Sequence, residues 1–442
     1  MSGNNIGTKA WSRRGFLGLA GAAVTVPALA ACNVSGSSNS GSSGGAADPI
    51  KFWDQPWGST AYNDLGKKIT DAYAPAAGMG KAEYQVIPWD NFYQTYSSAI
   101  ASGTGPAVST GGGFQPFQFA EQGAIAYADN LLNSWKSDGL YDDFLPGILD
   151  TTKTDKGYAG VPWQLDSRIL WVNNALLKQA GATAPTDFDS LLKAGQALKK
   201  IGVFGFGTGT GAGNNLGSHT MVAMMIMNGG GLFTADGKPD CVTERNVEAM
   251  DFVRELVKEG IIDPACVSYT TDNLYAQWAA KKVGMGVASA ALQSQAAAVK
   301  DDIEVISPIA GPHGDKAALH FVNSVMMYTK TPSQQASEAF ATYYFKNIKQ
   351  YWDTGLVGGV PVLKSITDSD AFKQNKSQVK IVTEYIPIST TYAAKGTKLF
   401  AGLAAVDGGQ ALTQFAQTMV QGKTDSKTAL TTLQKGIEEA IK

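Results

Sequence analysis

Histidine and cysteine are scarce in this chain. Of its 442 residues, only three are histidine and three are cysteine. No His-Glu-x-x-His motif and no clustered His/Cys pattern occurs, so we expect neither a metal site nor a cofactor. Ser190 to Lys193 fits a Ser-x-x-Lys pattern, but it lies in a predicted amphipathic helix and no Lys-Thr-Gly accompanies it. These absences disfavour metallohydrolases and penicillin-recognising enzymes.

A positive charge excess is also lacking. Lysine and arginine number 36 against 38 acidic residues, which gives a net charge of −2. Nucleic-acid binding needs a basic surface, so we expect no nucleic acid as a partner. After residue 31 no apolar run is long enough to span a bilayer.

The N-terminus has the order of an export signal. Arg13 and Arg14 precede a short apolar run rich in Gly and Ala, which ends at Leu29-Ala30-Ala31-Cys32. The arginine pair resembles a twin-arginine motif, and the last four residues resemble a lipobox. Alternatives are a generic basic head, a short membrane helix or a disordered tail. We predict a signal peptide over residues 1–31 and lipid attachment at Cys32, which would hold the protein on the outer face of the membrane.

A Ser/Gly-rich segment follows the predicted cleavage site. Residues 32–47 lack core-forming side chains, and we expect a lipidated, flexible linker. Beyond it, short apolar strands alternate with helical patterns. Examples are a strand at 50–53, a helix at 60–74, a strand at 84–87 and a helix at 91–101 with Asp90 as its predicted N-cap. We also expect strands at 169–173 and 203–207 and a helix at 187–200. This alternation predicts an α/β fold with largely parallel sheets.

The segment at 160–173 carries a family resemblance. It reads Gly-Val-Pro-Trp-Gln-Leu-Asp-Ser-Arg-Ile-Leu-Trp-Val-Asn and continues through a helix ending at Gly181 to Pro185-Thr186-Asp187-Phe188. With the turns at 101–106 and 228–233 and the segments at 278–285 and 351–362, it resembles the extracellular solute-binding proteins of ABC sugar importers. Pro106-Ala107 departs from the Pro-Asp of that family.

The resemblance implies a periplasmic-binding-protein-like fold of type II. Each of its two lobes is a mostly parallel sheet flanked by helices, and the ligand cleft lies between them. Residues 48–165 with 323–370 would form lobe 1, and residues 166–322 with 371–442 lobe 2. The implied function is that of a monomeric, non-enzymatic receptor. It would capture a sugar, expected to be an oligosaccharide, and deliver it to a membrane permease. The alternatives are a glycoside-active enzyme and a receptor for a non-sugar solute.

A sugar site needs aromatic rings that stack on C–H faces and polar groups that grip hydroxyls. Loops at strand ends, the three glycines at 111–113 and the lobe crossing near residue 165 place candidates at the expected cleft. Asp166 and Arg168 are two residues apart, so they point to the same side of a strand; a structural hinge salt bridge is the alternative. The candidate ligand residues are Trp53, Asp54, Trp57, Ser59, Phe114, Gln115, Trp163, Asp166, Arg168, Asn214 and Tyr392.

Two cysteines remain after Cys32. Cys241 and Cys266 flank a predicted helix. Outside the cell they would either form a disulfide or remain two buried thiols.

Overall fold

The computed structural model describes residues 47–211, 213–395 and 399–442. The predicted signal peptide, Cys32 and all but the last residue of the predicted linker lie outside these residues. Within them, no helix is both long and apolar enough to cross a membrane.

The strands of the described ranges are mostly short, apart from two long ones. They are β1 (Ile50–Asp54), β2 (Ala82–Val86), β3 (Val108–Gly111), β4 (Lys153–Thr154), β5 (Gly157–Tyr158), β6 (Val161–Asn173), β7 (Met285–Ser289), β8 (Ile303–Val305), β9 (Ala318–Met327), β10 (Val360–Pro361) and β11 (Ser389–Thr390).

Helices alternate with these strands and also form the C-terminal end of the chain. They are α1 (Thr60–Asp71), α2 (Phe92–Ser102), α3 (Gln115–Glu121), α4 (Asp129–Trp135), α5 (Leu140–Asp143), α6 (Asn174–Gln179), α7 (Phe188–Lys200), α8 (Asn215–Met227), α9 (Glu244–Lys258), α10 (Thr271–Ala279), α11 (Leu292–Gln295), α12 (Gln334–Asn347), α13 (Lys349–Asp353), α14 (Lys364–Thr367), α15 (Asp370–Gln374), α16 (Lys376–Lys380), α17 (Gly402–Asp407), α18 (Gln410–Gln421) and α19 (Ser426–Ala440).

The long antiparallel strands β6 and β9 link all parts of the main sheet. Its path runs β10-β6-β9-β3-β1-β2, while β7 and β8 also pair with β6, and β11 pairs with β9. The β1–β2, β1–β3 and β9–β11 pairs are parallel, but every pair made by β6 is antiparallel. The sheet is therefore mixed, because two strands traverse the molecule in opposite directions.

Strand β6 separates two apolar clusters. Leu170 and Val172 belong to one cluster, and Ile169 and Trp171 to the other. Successive side chains of a strand point to opposite faces, so alternate residues of β6 reach the two cores. A strand buried on both faces reads as one continuous apolar run.

Helix α8 was not expected from the sequence. Asn214 begins it as the N-cap, with its Oδ1 accepting a hydrogen bond of 2.9 Å from the Leu216 backbone N–H. Twelve of its thirteen residues are buried, so it has no polar face to produce an amphipathic period.

Two local predictions were wrong. Residues 203–207 form no strand: Phe204 and Gly207 make only isolated bridges. A Cβ on Gly205 would lie 2.4 Å from the Gly195 Cα, so this part of the segment packs directly against helix α7. Asp90 does not cap α2, whose N-cap is Asn91.

Candidate ligand cleft

A cavity of about 510 Å³ lies beside the crossing of β6 and β9. Its wall combines the loops after β1 and β2, the glycines after β3 and the start of α8. Both predicted lobes contribute, because Trp57 comes from residues 48–165 and His219 from residues 166–322. The volume falls within the range of about 300–1,000 Å³ that is usual for small-molecule sites.

Indole rings form one side of the cavity. Trp57 and Trp89 both line it and meet edge to face at a centroid distance of 4.6 Å. The Nε1 of Trp57 donates to Thr110 Oγ1 at 3.1 Å, and the Nε1 of Trp89 donates to the Pro56 carbonyl at 3.1 Å. Protein acceptors thus fix both indole N–H groups, and the rings present apolar surface to the cavity.

A chain of charged groups forms another side. Arg168 Nη1 donates to Asp166 Oδ2 at 2.6 Å, and Arg168 Nε donates to His219 Nδ1 at 3.0 Å. Because Nδ1 accepts this bond, the imidazole proton sits on Nε2, which donates to Asp407 Oδ1 at 2.9 Å. The guanidinium also lies 4.9 Å from the centre of the Phe321 ring.

Burial decides the protonation of this chain. Desolvation and the charge of Arg168 lower the pKa of His219, so the imidazole is neutral at pH 7. Burial alone would raise the pKa of Asp407, but hydrogen bonds from His219, Tyr392 and Tyr93 outweigh it and hold the pKa below its usual value. A neutral His219 imidazole thus lies between the Arg168 guanidinium and the ionised Asp407 carboxylate.

Three of the eleven candidate residues line the cavity: Trp57, Asp166 and Arg168. Asp166 and Arg168 do face the same side of β6, and they are paired with each other. Ser59 is the N-cap residue of α1, without a side-chain hydrogen bond there, and Asn214 caps α8. Neither is part of the cavity wall.

Six candidates lie in the packing behind the wall. Trp53 packs on Tyr96, and Trp163 supports Trp57 from behind at a ring distance of 5.5 Å. Phe114 and Tyr392 pack on each other, with ring centroids 5.3 Å apart. The two remaining residues hold loops through hydrogen bonds: Gln115 Oε1 accepts from the Gly112 N–H, and Asp54 accepts from four donors.

The Asp54 carboxylate anchors Trp57 through Thr110. Thr110 Oγ1 donates to Asp54 Oδ1 at 2.6 Å and accepts from Trp57 Nε1 at 3.1 Å. Tyr62 and Tyr84 each donate to Asp54 Oδ2 at 3.0 Å. Full burial nevertheless raises the pKa of Asp54 from 3.8 to about 6, with the hydrogen bonds opposing the shift.

Several cavity residues were missed in the sequence: Asn63, Trp89, Gln164, Tyr275, Asn323 and Asp407. A signal existed for Trp89, which follows β2 as Trp57 follows β1. The carboxyl ends of two parallel neighbours meet at one edge of a sheet, and loops there bind ligands. His219 and Asp407 are 188 residues apart, and no local pattern links them.

Known proteins match this architecture. The family model for bacterial extracellular solute-binding proteins matches residues 47–351. The chain belongs to this family. A sugar transporter from Arthrobacter chlorophenolicus A6, crystallised with bound laminaribiose, is 56% identical with a TM-score of 0.87. That match covers 90% of this chain and 100% of the other.

More distant relatives share the fold. MalE3 of T. maritima in its maltose-bound form is 16% identical, with a TM-score of 0.75 over 88% of this chain and 99% of that one. A binding protein of Brucella abortus (strain 2308) is 23% identical over 319 residues, which are 71% of this chain and 75% of the relative. The family resemblance and the two-lobed α/β fold expected from the sequence are thus confirmed.

The sequence left open whether the two cysteines form a disulfide, and in this structure they do not. Cys241 and Cys266 are both buried and free. Desolvation by burial raises the pKa of each thiol to about 12, so both are protonated at neutral pH.

Proposed function

We propose that this solute-binding protein is the receptor of an ABC importer and captures a neutral di- or oligosaccharide between its lobes. The observation that carries the proposal is the cleft itself, with indole rings on one side and an oriented Asp166–Arg168 pair on another. Rings stack on the C–H faces of sugars, and the charged pair can grip neighbouring hydroxyls. Support comes from the 56% identical sugar transporter that holds laminaribiose.

The charges of the cleft favour an uncharged sugar. Arg168 is already paired with Asp166, while Asp90, Asp272 and Asp407 add negative charge to the wall. An anionic ligand such as a uronate or a sugar phosphate would meet repulsion there. We expect such ligands to bind weakly or not at all.

The receptor would work from the membrane surface. We propose that Cys32 carries a lipid and that the segment to residue 47 tethers the folded part, so that the sugar-loaded form reaches the permease. Binding would favour the conformation in which both lobes contact the ligand. No chemical change of the sugar is part of this role.

Calorimetric titration tests the proposal. Laminaribiose, maltose, erythritol and glucuronic acid are titrated into the purified protein, and each mixture is then analysed for hydrolysis products. We expect a neutral disaccharide to bind with one-to-one stoichiometry and to be recovered intact. Failure of every neutral saccharide to bind, or cleavage of one, would contradict the proposal; tight binding of erythritol alone would favour a polyol receptor.

A further inference from the structure

Two buried amide residues lie on the crossing strands β6 and β9, which form what we call the floor of the cleft. Gln164 on β6 and Asn323 on β9 are paired directly across the two crossing strands. Residues opposite each other in an antiparallel pair extend to the same face of a sheet. Both line the cavity, although only 1% and 2% of their surfaces are exposed.

One polar atom of each amide lacks a hydrogen-bond partner among the described residues. Gln164 Oε1 and Asn323 Nδ2 are fully buried, and neither has a hydrogen-bond partner in the part of the chain that the structure describes. Nearly all buried polar groups in folded proteins are hydrogen-bonded, and an unpaired one destabilises the fold. Because these two side chains also line the cavity, a ligand bound there can supply the missing partners.

The neighbouring strand leaves room for one of these side chains. A Cβ on Gly359, just before β10, would lie 1.7 Å from Gln164 Oε1. The backbone of Gly359 does not have the positive φ that favours glycine, so the residue matters here for space. The Gln164 amide is thus held against β10, where any larger residue would displace it.

We infer that Gln164 and Asn323 form an amide pair that recognises adjacent hydroxyls of one sugar ring at the cleft floor. An amide carries both donors and an acceptor, as a pair of neighbouring hydroxyls does. A site that buries such groups rejects analogues lacking the matching hydroxyl, because the amides then stay unpaired. The inference rests on the proposed sugar-binding function and assigns part of its specificity to these two residues.

The test removes the amides while keeping their volume. Gln164→Met and Asn323→Leu are each titrated with laminaribiose by calorimetry, and the melting temperature of each ligand-free variant is measured. We expect affinity to fall about tenfold or more in each variant. The ligand-free melting temperature should stay level or rise, because an unpaired buried polar group is lost.

Gln55 provides a matched control. It is fully buried, both polar atoms of its amide are unpartnered, and it is not part of the cavity wall. Gln55→Met should therefore change affinity less than twofold. A purely structural role of the floor amides would instead lower the melting temperature and leave affinity unchanged.

The outcomes separate this inference from the proposed function. If the parent protein binds laminaribiose and both floor variants bind it within twofold of the parent, the inference is overturned. If the parent binds no saccharide, the proposed function fails and the inference fails with it. If a floor variant does not fold, Gly359→Ala provides a second test. Its added methyl group would displace the Gln164 side chain, while the amide groups of Gln164 and Asn323 are both retained. We expect it to weaken binding about tenfold, and parent-like affinity would contradict the inference.

Discussion

At the scale of single residues, Asp166 is a charged group of the cavity wall that is positioned by a partner on its own strand. It lies on the cavity wall, is half-buried and is paired with Arg168 at 2.6 Å. We predict that Asp166→Ala weakens saccharide binding by about 1–3 kcal/mol, because a charge-assisted hydrogen bond is lost and Arg168 is released from its position. Calorimetry measures the change. Asp71→Ala, which removes an exposed 2.6 Å ion pair with Lys67, should leave affinity unaltered, and equal losses in both variants would argue against a role in binding.

The indole of Trp57 should contribute through its face. We predict that Trp57→Ala weakens binding by at least the value of one aromatic contact, about 0.5–1.5 kcal/mol, since a stacking surface disappears. Trp278 is fully buried and is not part of the cavity wall. Trp278→Phe therefore serves as the control. We expect this variant to lose stability but to bind the saccharide with the affinity of the parent. An affinity of Trp57→Ala equal to that of the parent would show that the ring does not contact the sugar.

Asp54 gives a prediction with a defined sign. Its pKa in the folded protein is raised to about 6, so the fold favours the protonated carboxyl over the ionised one. This contribution to stability is full below pH 3.8 and is lost as the pH rises through 6. Asp54→Asn removes the titration. We therefore expect the unfolding free energy of the variant, relative to the parent, to increase by up to about 3 kcal/mol between pH 4 and pH 7.

Urea unfolding at a series of pH values measures this difference. A constant difference between Asp54→Asn and the parent would show that the carboxyl is not perturbed. The same variant reports on the Thr110 link to Trp57. Thr110 Oγ1 loses a charged acceptor in this variant, so we expect the emission of Trp57 to shift.

Sequence reasoning succeeded at residues whose neighbours are local and failed where partners are distant. Asp166 and Arg168 lie on one strand, so strand periodicity alone placed them on one side. Trp53 also lies on a strand, but its side chain packs on Tyr96 of α2, which no local pattern reveals. Gln164 was read only as part of a motif, because its partner Asn323 is supplied by a second crossing strand.

At the scale of elements, Asn214 is the N-cap of α8, the helix whose first residues line the cleft. Asn214 caps the helix with Oδ1, and its Nδ2 donates to the Tyr269 carbonyl at 2.9 Å. We predict that Asn214→Ala lowers the unfolding free energy by about 0.5–2 kcal/mol, the usual value of a lost cap, and that Asn214→Asp recovers part of it. Thermal or urea unfolding measures both. A loss of affinity without a loss of stability would instead make Asn214 a ligand residue, as the sequence first suggested.

Helices with one apolar face were predicted from the sequence, whereas a helix buried on all sides was not. Helix α7 was anticipated closely, because Asp187 and Ser190 form a capping box and its apolar residues recur on one face. Helix α8 is buried on all sides and therefore carries no such period. Strand β6 was predicted only over residues 169–173, but it begins at Val161. A proline usually argues against a central strand, because it has no N–H to donate. Here the register of the β6–β9 pairing shifts between Pro162 and Gln164, and this irregularity accommodates the proline.

At the scale of the whole molecule, hydrogen bonds join the two predicted lobes around the cavity. Tyr93 donates to Asp407 Oδ2 at 2.8 Å, and Gln295 Nε2 donates to the Gly58 carbonyl at 2.7 Å. Tyr93 and Gly58 belong to predicted lobe 1, whereas Asp407 and Gln295 belong to predicted lobe 2. On the proposal that the lobes close around a ligand, these bonds would stabilise the closed conformation.

We predict that Tyr93→Phe weakens saccharide binding about tenfold. The hydroxyl bonds to a charged carboxylate, and its loss lowers the population of the competent form. Tyr343→Phe is the matched control, since its hydroxyl donates to the Ile69 carbonyl within one predicted lobe. Surface plasmon resonance should show faster dissociation of the saccharide from Tyr93→Phe but not from Tyr343→Phe. If both variants behave alike, the Tyr93–Asp407 bond has no part in closure.

Small-angle X-ray scattering with and without saturating laminaribiose tests the central claim most directly. The account predicts a smaller radius of gyration in the presence of the sugar, because closure of two lobes around a ligand compacts the molecule. An unchanged scattering curve at concentrations that saturate binding, or the absence of binding by any neutral saccharide, would contradict it.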